Sequence, residues 1–107
     1  MRTRPSHADR SAAEARPSGI GLRLYIAGTS ERSTRAIRNA REICDTHFLG
    51  RCDLEVIDIF QQPGRARADR VLAVPTLIKL IPLPVKRFIG DLSDRAIVLA
   101  GLGVILV

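Results

Sequence analysis

Apolar and polar residues begin to alternate at "LRLYIAG", where Leu22, Leu24 and Ile26 are interleaved with Arg23 and Tyr25 before Gly28 stops the run. A period of two predicts a strand. Ser30 then offers a side-chain cap for a helix reaching about His47. Ala36, Ile37, Ala40, Ile43 and Cys44 recur at helical spacing along it, Phe48 extends that face, and Gly50 closes it. "DLEVIDIF" predicts a second, largely buried strand carried by Leu54, Val56 or Ile57, and Ile59, with Asp53 and Glu55 alternating outward. Two strands joined by such a helix form a right-handed βαβ unit with parallel strands. "QQPGRARADRVLA" reads as a turn and one short helix, ended by Val74-Pro75. "TLIKLI" is a third strand, and "LPVKRFIG" a fourth, reached through a Pro-Leu-Pro turn tight enough for an antiparallel hairpin. "DLSDRAIVLAGLGVILV" opens on an Asp/Ser cap and continues as an apolar helix, with Gly101 and Gly103 weakening its last turns.

The sum, β-α-β-(α)-β-β-α, is an α/β arrangement of the thioredoxin-like type, in which a proline opening the third strand is typically cis. Pro75 then precedes a strand instead of interrupting one, where only proline adopts a cis bond at small cost. The domain is expected to span residues 20–107. Residues 1–19 hold four arginines and two prolines with no apolar period, which predicts a disordered basic tail. An arginine- and serine-rich start also resembles an organelle transit peptide, but Asp9 and Glu14 argue against one. Neither a membrane span nor a signal peptide is apparent, so a cytoplasmic protein is expected.

Charge changes the picture little. The net charge is +6, which suits an acidic partner surface or nucleic acid. Yet Glu31–Arg35, Arg38–Glu42 and Arg41–Asp45 all fall at i, i+4, the pattern of a solvated helix face. No aromatic-basic stripe of the kind that stacks exposed bases accompanies them. Nucleic acid is not the expected partner.

Candidate chemistry is sparse. Thioredoxin-like enzymes place a reactive thiol at the N-terminus of the first helix, where the helix dipole lowers its pKa. Here that place reads "AGTSERS" and contains no cysteine. Cys44 and Cys52 do not form a C-x-x-C pair, and Cys44 is expected to pack as a small hydrophobe. His7 and His47 are far apart and make a poor metal set with two cysteines. One glycine in "AGTSERST" falls well short of a phosphate-binding loop. Asp53, Glu55 and Asp58 do not make an acid–base pair. No enzyme activity, cofactor or metal is expected.

From about Leu22 to Leu102 the chain closely resembles the KaiB family of bacterial circadian clock proteins. "LRLYIAG" is similar to the family's first strand, "LEVIDIFQQP" to its second strand and turn, and "DRVLAVPTLIKLIPLPVKRFIGDLSDR" to its long signature. The resemblance implies a metamorphic chain whose part after the second strand takes either the thioredoxin-like form or a different ground-state fold found in a homotetramer. Pro75, Pro82, Pro84, Gly101 and Gly103 are the positions implied to keep the two forms close in energy. The sequence departs from the pattern at Leu83, where the family has the middle proline of a run of three. It departs again at Gly103, where the family has aspartate, and in ending on "GVILV" without an acidic tail. A homologue from outside the cyanobacteria is therefore expected.

The family resemblance further implies a non-enzymatic regulator of KaiC, a hexameric ATPase and autokinase, in a circadian or stress-timing role. Arg23, Arg35, Arg70, Lys79 and Arg87 match basic family positions and are the implied partner contacts. Other clock components, including histidine kinases, are further implied partners, and a homo-oligomer (dimer or tetramer) is expected. The competing reading is a binding module locked in the thioredoxin-like form, similar to the sensor domain of clock-output histidine kinases.

Overall fold

The computed structural model describes residues 19–104. The expected basic tail lies outside the described residues, except for Gly19. Seven elements follow in the predicted order: β1 (Ile20–Ile26), α1 (Glu31–His47), β2 (Cys52–Asp58), α2 (Pro63–Ala68), β3 (Thr76–Ile81), β4 (Lys86–Ile89) and α3 (Arg95–Gly101). The strands form one sheet in the order β2-β1-β3-β4. β1 runs parallel to β2, whereas β3 is antiparallel to both β1 and β4.

The sheet is covered on both faces. Ile20, Leu22, Leu24 and Ile26 of β1 and Leu77 of β3 pack against Ala36, Ala40 and Ile43 of α1 and Val98 and Leu99 of α3. Because side chains alternate along a strand, Tyr25, Ile57 and Ile78 point the other way. There they form a smaller cluster with Ala66 of α2, Val71 and Val74. β1 is buried along its length because it is central. β2, expected to be largely buried, is an edge strand instead, and only Ile57 in it is buried. Its Asp53 and Glu55 do face outward, exposed as the alternation predicts.

Local chemistry sets the boundaries. The Ser30 hydroxyl accepts from the Ser33 amide at 3.2 Å and starts α1. The Asp94 carboxylate accepts from the Ile97 amide at 3.4 Å and starts α3. Pro75, Pro82 and Pro84 sit outside the strands: Pro75 immediately before β3, and Pro82 and Pro84 in the exposed β3–β4 turn, each in a cis bond. α3 is shorter than its apolar pattern predicts. The Gly103 amide bonds to the Ala100 carbonyl at 3.1 Å and the Val104 amide to the Leu99 carbonyl at 2.9 Å. With Gly103 at φ +89°, this pair of bonds is a Schellman stop. Gly103 therefore terminates the helix, where the sequence suggested only that it weakens it. Gly101 lies under the Phe88 ring, whose atoms come within 2.4 Å of where a Cβ would be.

Candidate functional site

The five basic residues singled out in the sequence do not share one patch. Arg23 and Arg87 lie on the α2 face of the sheet, and Arg70 lies in the turn after α2. Arg35 is on α1, and Lys79 is on the α1/α3 face.

On the α2 face a polar network forms around Asp69. Arg23 Nη1 donates to Asp69 Oδ2 at 2.9 Å, and the Tyr25 hydroxyl donates to the same oxygen at 2.5 Å while lying 3.1 Å from the Arg65 carbonyl. Arg65 grips Glu55 through two parallel bonds at 2.5 and 2.9 Å, and Arg23 Nε reaches Glu55 at 3.3 Å. Bidentate guanidinium–carboxylate pairs of this kind are the strong ones. Arg87 Nη atoms donate to the main-chain carbonyls of Asp69 and Arg70. Burial pushes the Asp69 carboxyl upward, but the bonds from Tyr25 and Arg23 and the charges of Arg23 and Arg87 outweigh it, so it sits below its ordinary value. Burial, seconded by Asp69, drives the Tyr25 phenol up to about 12. Arg70 is exposed at φ +54° and forms no ion pair among the described residues.

Arg35 belongs to a second network that ties α1 to the segment before α3. Its Nε donates to Asp91 at 2.9 Å and its Nη1 to Glu31 at 2.8 Å. The bond from Arg35, followed by that from Ser93, holds the Asp91 carboxyl down to about 2. Asn39 Nδ2 donates to the Asp91 carbonyl at 2.8 Å. Of the three i, i+4 pairs expected on α1, Glu31–Arg35 forms. Glu42 pairs instead with Arg95 of α3 at 2.5 Å, and Arg41–Asp45 is not among the ion pairs of the described residues.

Lys79 departs from its expected role as a surface contact. It is only 5 % exposed. Its register neighbours are Leu22 and Lys86, and no carboxylate pairs with it among the described residues. Burial, and then the Lys86 charge, lowers its pKa. The unfolded chain therefore holds this proton more readily than the folded one. Stability should rise with pH as it approaches the ordinary lysine value of about 10.4. Lys79→Met should raise the unfolding free energy by about 1 kcal/mol near pH 7, by removing a buried charge that no carboxylate among the described residues pairs with. It should also flatten that rise between pH 8 and 10. Urea unfolding of both proteins at three pH values checks both points.

The place where a thioredoxin-like enzyme carries its nucleophile holds Thr29 and the capping Ser30, with no thiol. Asp58 is used structurally, accepting from the Gly28 and Phe60 amides at 3.2 and 2.9 Å. Among the described residues no group of three or more His, Cys, Asp or Glu side chains could hold a metal ion. No described helix is long and apolar enough to cross a membrane.

Two features escaped the sequence reading. The Tyr25–Asp69 contact joins residues 44 positions apart, with only the alternation of β1 to hint that Tyr25 faces a second core. Cys44 does face the α1 core as expected, but it is not a free small hydrophobe: it is bonded to Cys52.

The KaiB domain family model matches residues 23–104. The chain belongs to the KaiB family. It is 53 % identical over 81 residues to the circadian clock oscillator protein KaiB of Synechococcus sp. strain RCC307, covering 76 % of this chain and 74 % of that one. The protein of the same name from Prochlorococcus marinus strain MIT 9312 is 52 % identical over 81 residues, covering 76 % and 77 %. Among solved structures, chloroplastic thioredoxin z superposes with a TM-score of 0.67 at 18 % identity over 90 % of this chain and 86 % of that one. The N-terminal domain of Synechococcus elongatus SasA superposes with a TM-score of 0.63 at 24 % identity over 77 % and 79 %. These likenesses establish the thioredoxin-like fold, and the family relatives place the chain among clock proteins.

Proposed function

We propose that this member of the KaiB family is a non-enzymatic regulator that binds a KaiC-type hexameric ATPase and autokinase and shifts its phosphorylation state. Membership of the family over residues 23–104 carries the proposal. Two features of this chain support it. The nucleophile position of the thioredoxin-like fold is occupied by a helix cap. The exposed Arg70, beside Arg87, offers positive charge to an acidic partner surface. Arg23 and Arg35 are engaged in networks, so their part in binding is to hold the surface in shape. Lys79 contributes only if the second half rearranges, with Pro75, Pro82, Pro84, Gly101 and Gly103 as the positions that balance the two forms. We place the protein in the cytoplasm, as a homo-oligomer between binding events.

The fold shared with the SasA N-terminal domain favours a second reading, a binding module held permanently in the thioredoxin-like form. Time courses separate the two. The purified chain is mixed with the KaiC-type ATPase of its own organism and ATP, and complex formation is followed. Binding over hours supports a regulator gated by refolding, immediate binding supports the locked module, and no complex under any nucleotide condition overturns both.

A further inference from the structure

Cys44 lies in the last turns of α1 and Cys52 is the first residue of β2, with their Cα atoms 5.5 Å apart. That separation lies within the span a disulfide requires. The chain between them reverses through Leu49 at φ +34° and Gly50 at φ +83°. Bonds from the Phe48 amide to the Cys44 carbonyl at 3.1 Å and from the Arg51 amide to the Phe48 carbonyl at 2.7 Å hold the turn. Cys52 in turn pairs in register with Ile20, at the start of the central strand.

We propose that Cys44 and Cys52 form a reversible redox clasp that fastens the end of α1 to the sheet, a modification site independent of any partner-binding role. Its reagents are low-molecular-weight disulfides as oxidants and dithiols as reductants. In closing, the Cys52 thiolate attacks one sulfur of a disulfide RSSR and expels RS⁻, which takes up a proton. The Cys44 thiolate then attacks the Cys52 sulfur of the mixed disulfide and expels the second RS⁻. Two electrons pass from the cysteines to RSSR, two protons end on the released thiols, and one S–S bond replaces another. A dithiol reverses both steps.

The surroundings make this a clasp and not a catalyst. Cys44 is 8 % exposed and packs within the α1 core cluster. Apolar surroundings disfavour a thiolate, and so does the negative end of a helix dipole. Cys52 is half-buried at the edge strand and is the sulfur that a reagent reaches. The pair therefore exchanges slowly and holds its state, unlike a low-pKa thiol placed at a helix N-terminus. A reducing cytosol keeps such a pair open, and an oxidising shift in the thiol pool closes it.

The test uses the full chain incubated with oxidised glutathione or with dithiothreitol, each read by alkylation mass shift and thermal unfolding. The oxidised protein should resist alkylation at both cysteines and unfold roughly 10 °C above the reduced one, since a short cross-linked loop restricts the unfolded chain. A Cys44→Ala, Cys52→Ser double variant should unfold at one temperature in both conditions, and Cys52→Ser alone serves if the double variant does not fold. Alkylation of both cysteines in the glutathione-treated protein, cross-linking only between chains, or an intact internal disulfide with unchanged unfolding temperature would each overturn the clasp.

Discussion

Asp69→Ala should lower the unfolding free energy by about 2–3 kcal/mol, a large effect for a carboxylate just beyond the end of a short helix. α2 has only six residues and none of them is buried, so its own hydrogen bonds cannot sustain it. Beside the packing of Ala66 on the second core cluster, what fastens it is the chain of contacts from Tyr25 and Arg23 to Asp69, and from Arg65 to Glu55. Removing the carboxylate strips Arg23 of its better partner and leaves the Tyr25 hydroxyl only the Arg65 carbonyl. Losing one member of a partly buried ion pair costs more than the pair contributes, because the other charge remains. Asp69→Asn keeps an acceptor for Tyr25 and should lose about half as much. Amide exchange over residues 63–71 should accelerate before the rest of the domain opens. The pH dependence has a definite sign. Glu55, through the bonds from Arg65, and Asp69 both have folded-state pKa values below their ordinary ones. Their contribution is present above the unfolded carboxyl range near pH 4 and is lost as pH falls through the lower folded values. Urea midpoints measured from pH 6 to pH 2 should fall for the parent and fall less for Asp69→Asn. Equal slopes would show that ionisation of Asp69 carries no net stability.

The sequence allowed the sheet and its helices to be read because each element has an unmixed local signal. β1 alternates, α1 has a cap and a helical stripe, and Pro75 can only open β3. What it concealed depends on neighbours distant in the chain. The "TLIKLI" pattern suggests an outward lysine, yet β3 lies between β1 and β4 with packed layers on both faces, so Lys79 is almost wholly covered. β2 carries Leu54, Val56 and Ile57 in the manner of a buried strand, but among the described residues no strand lies beyond it. Helical spacing correctly turns Cys44 inward, though it cannot reveal that the β2 start lies within bonding distance. Charge spacing on α1 misses Glu42 for a similar reason, since Arg95 arrives from α3 and displaces its helical neighbour. The partner contacts were the least legible. Basic residues look alike in a sequence, whereas the fold assigns Arg23 and Arg35 to networks, buries Lys79, and leaves Arg70 exposed.

That sorting makes the partner surface testable with two charge reversals. Arg70→Glu touches no ion pair among the described residues, and Arg87 meets residue 70 at its main-chain carbonyl and not at its side chain. Its stability should therefore stay within about 0.5 kcal/mol of the parent. Affinity for the KaiC-type ATPase should nevertheless fall at least roughly tenfold, the effect of setting like charges opposite one another across an interface. The loss should shrink as salt is raised, because screening weakens attraction and repulsion alike. Arg87→Glu differs in kind, since it removes the guanidinium that bonds to the Asp69 and Arg70 carbonyls. It should lose about 1 kcal/mol of stability as well as affinity. A titration of each variant against the ATPase, paired with its urea midpoint, separates contact from support. If Arg70→Glu binds as the parent does, the acidic partner surface is met elsewhere on the chain. If only Arg87→Glu fails, and fails in proportion to its lost stability, the basic residues of the α2 face act as scaffolding for the fold and not as its docking charge.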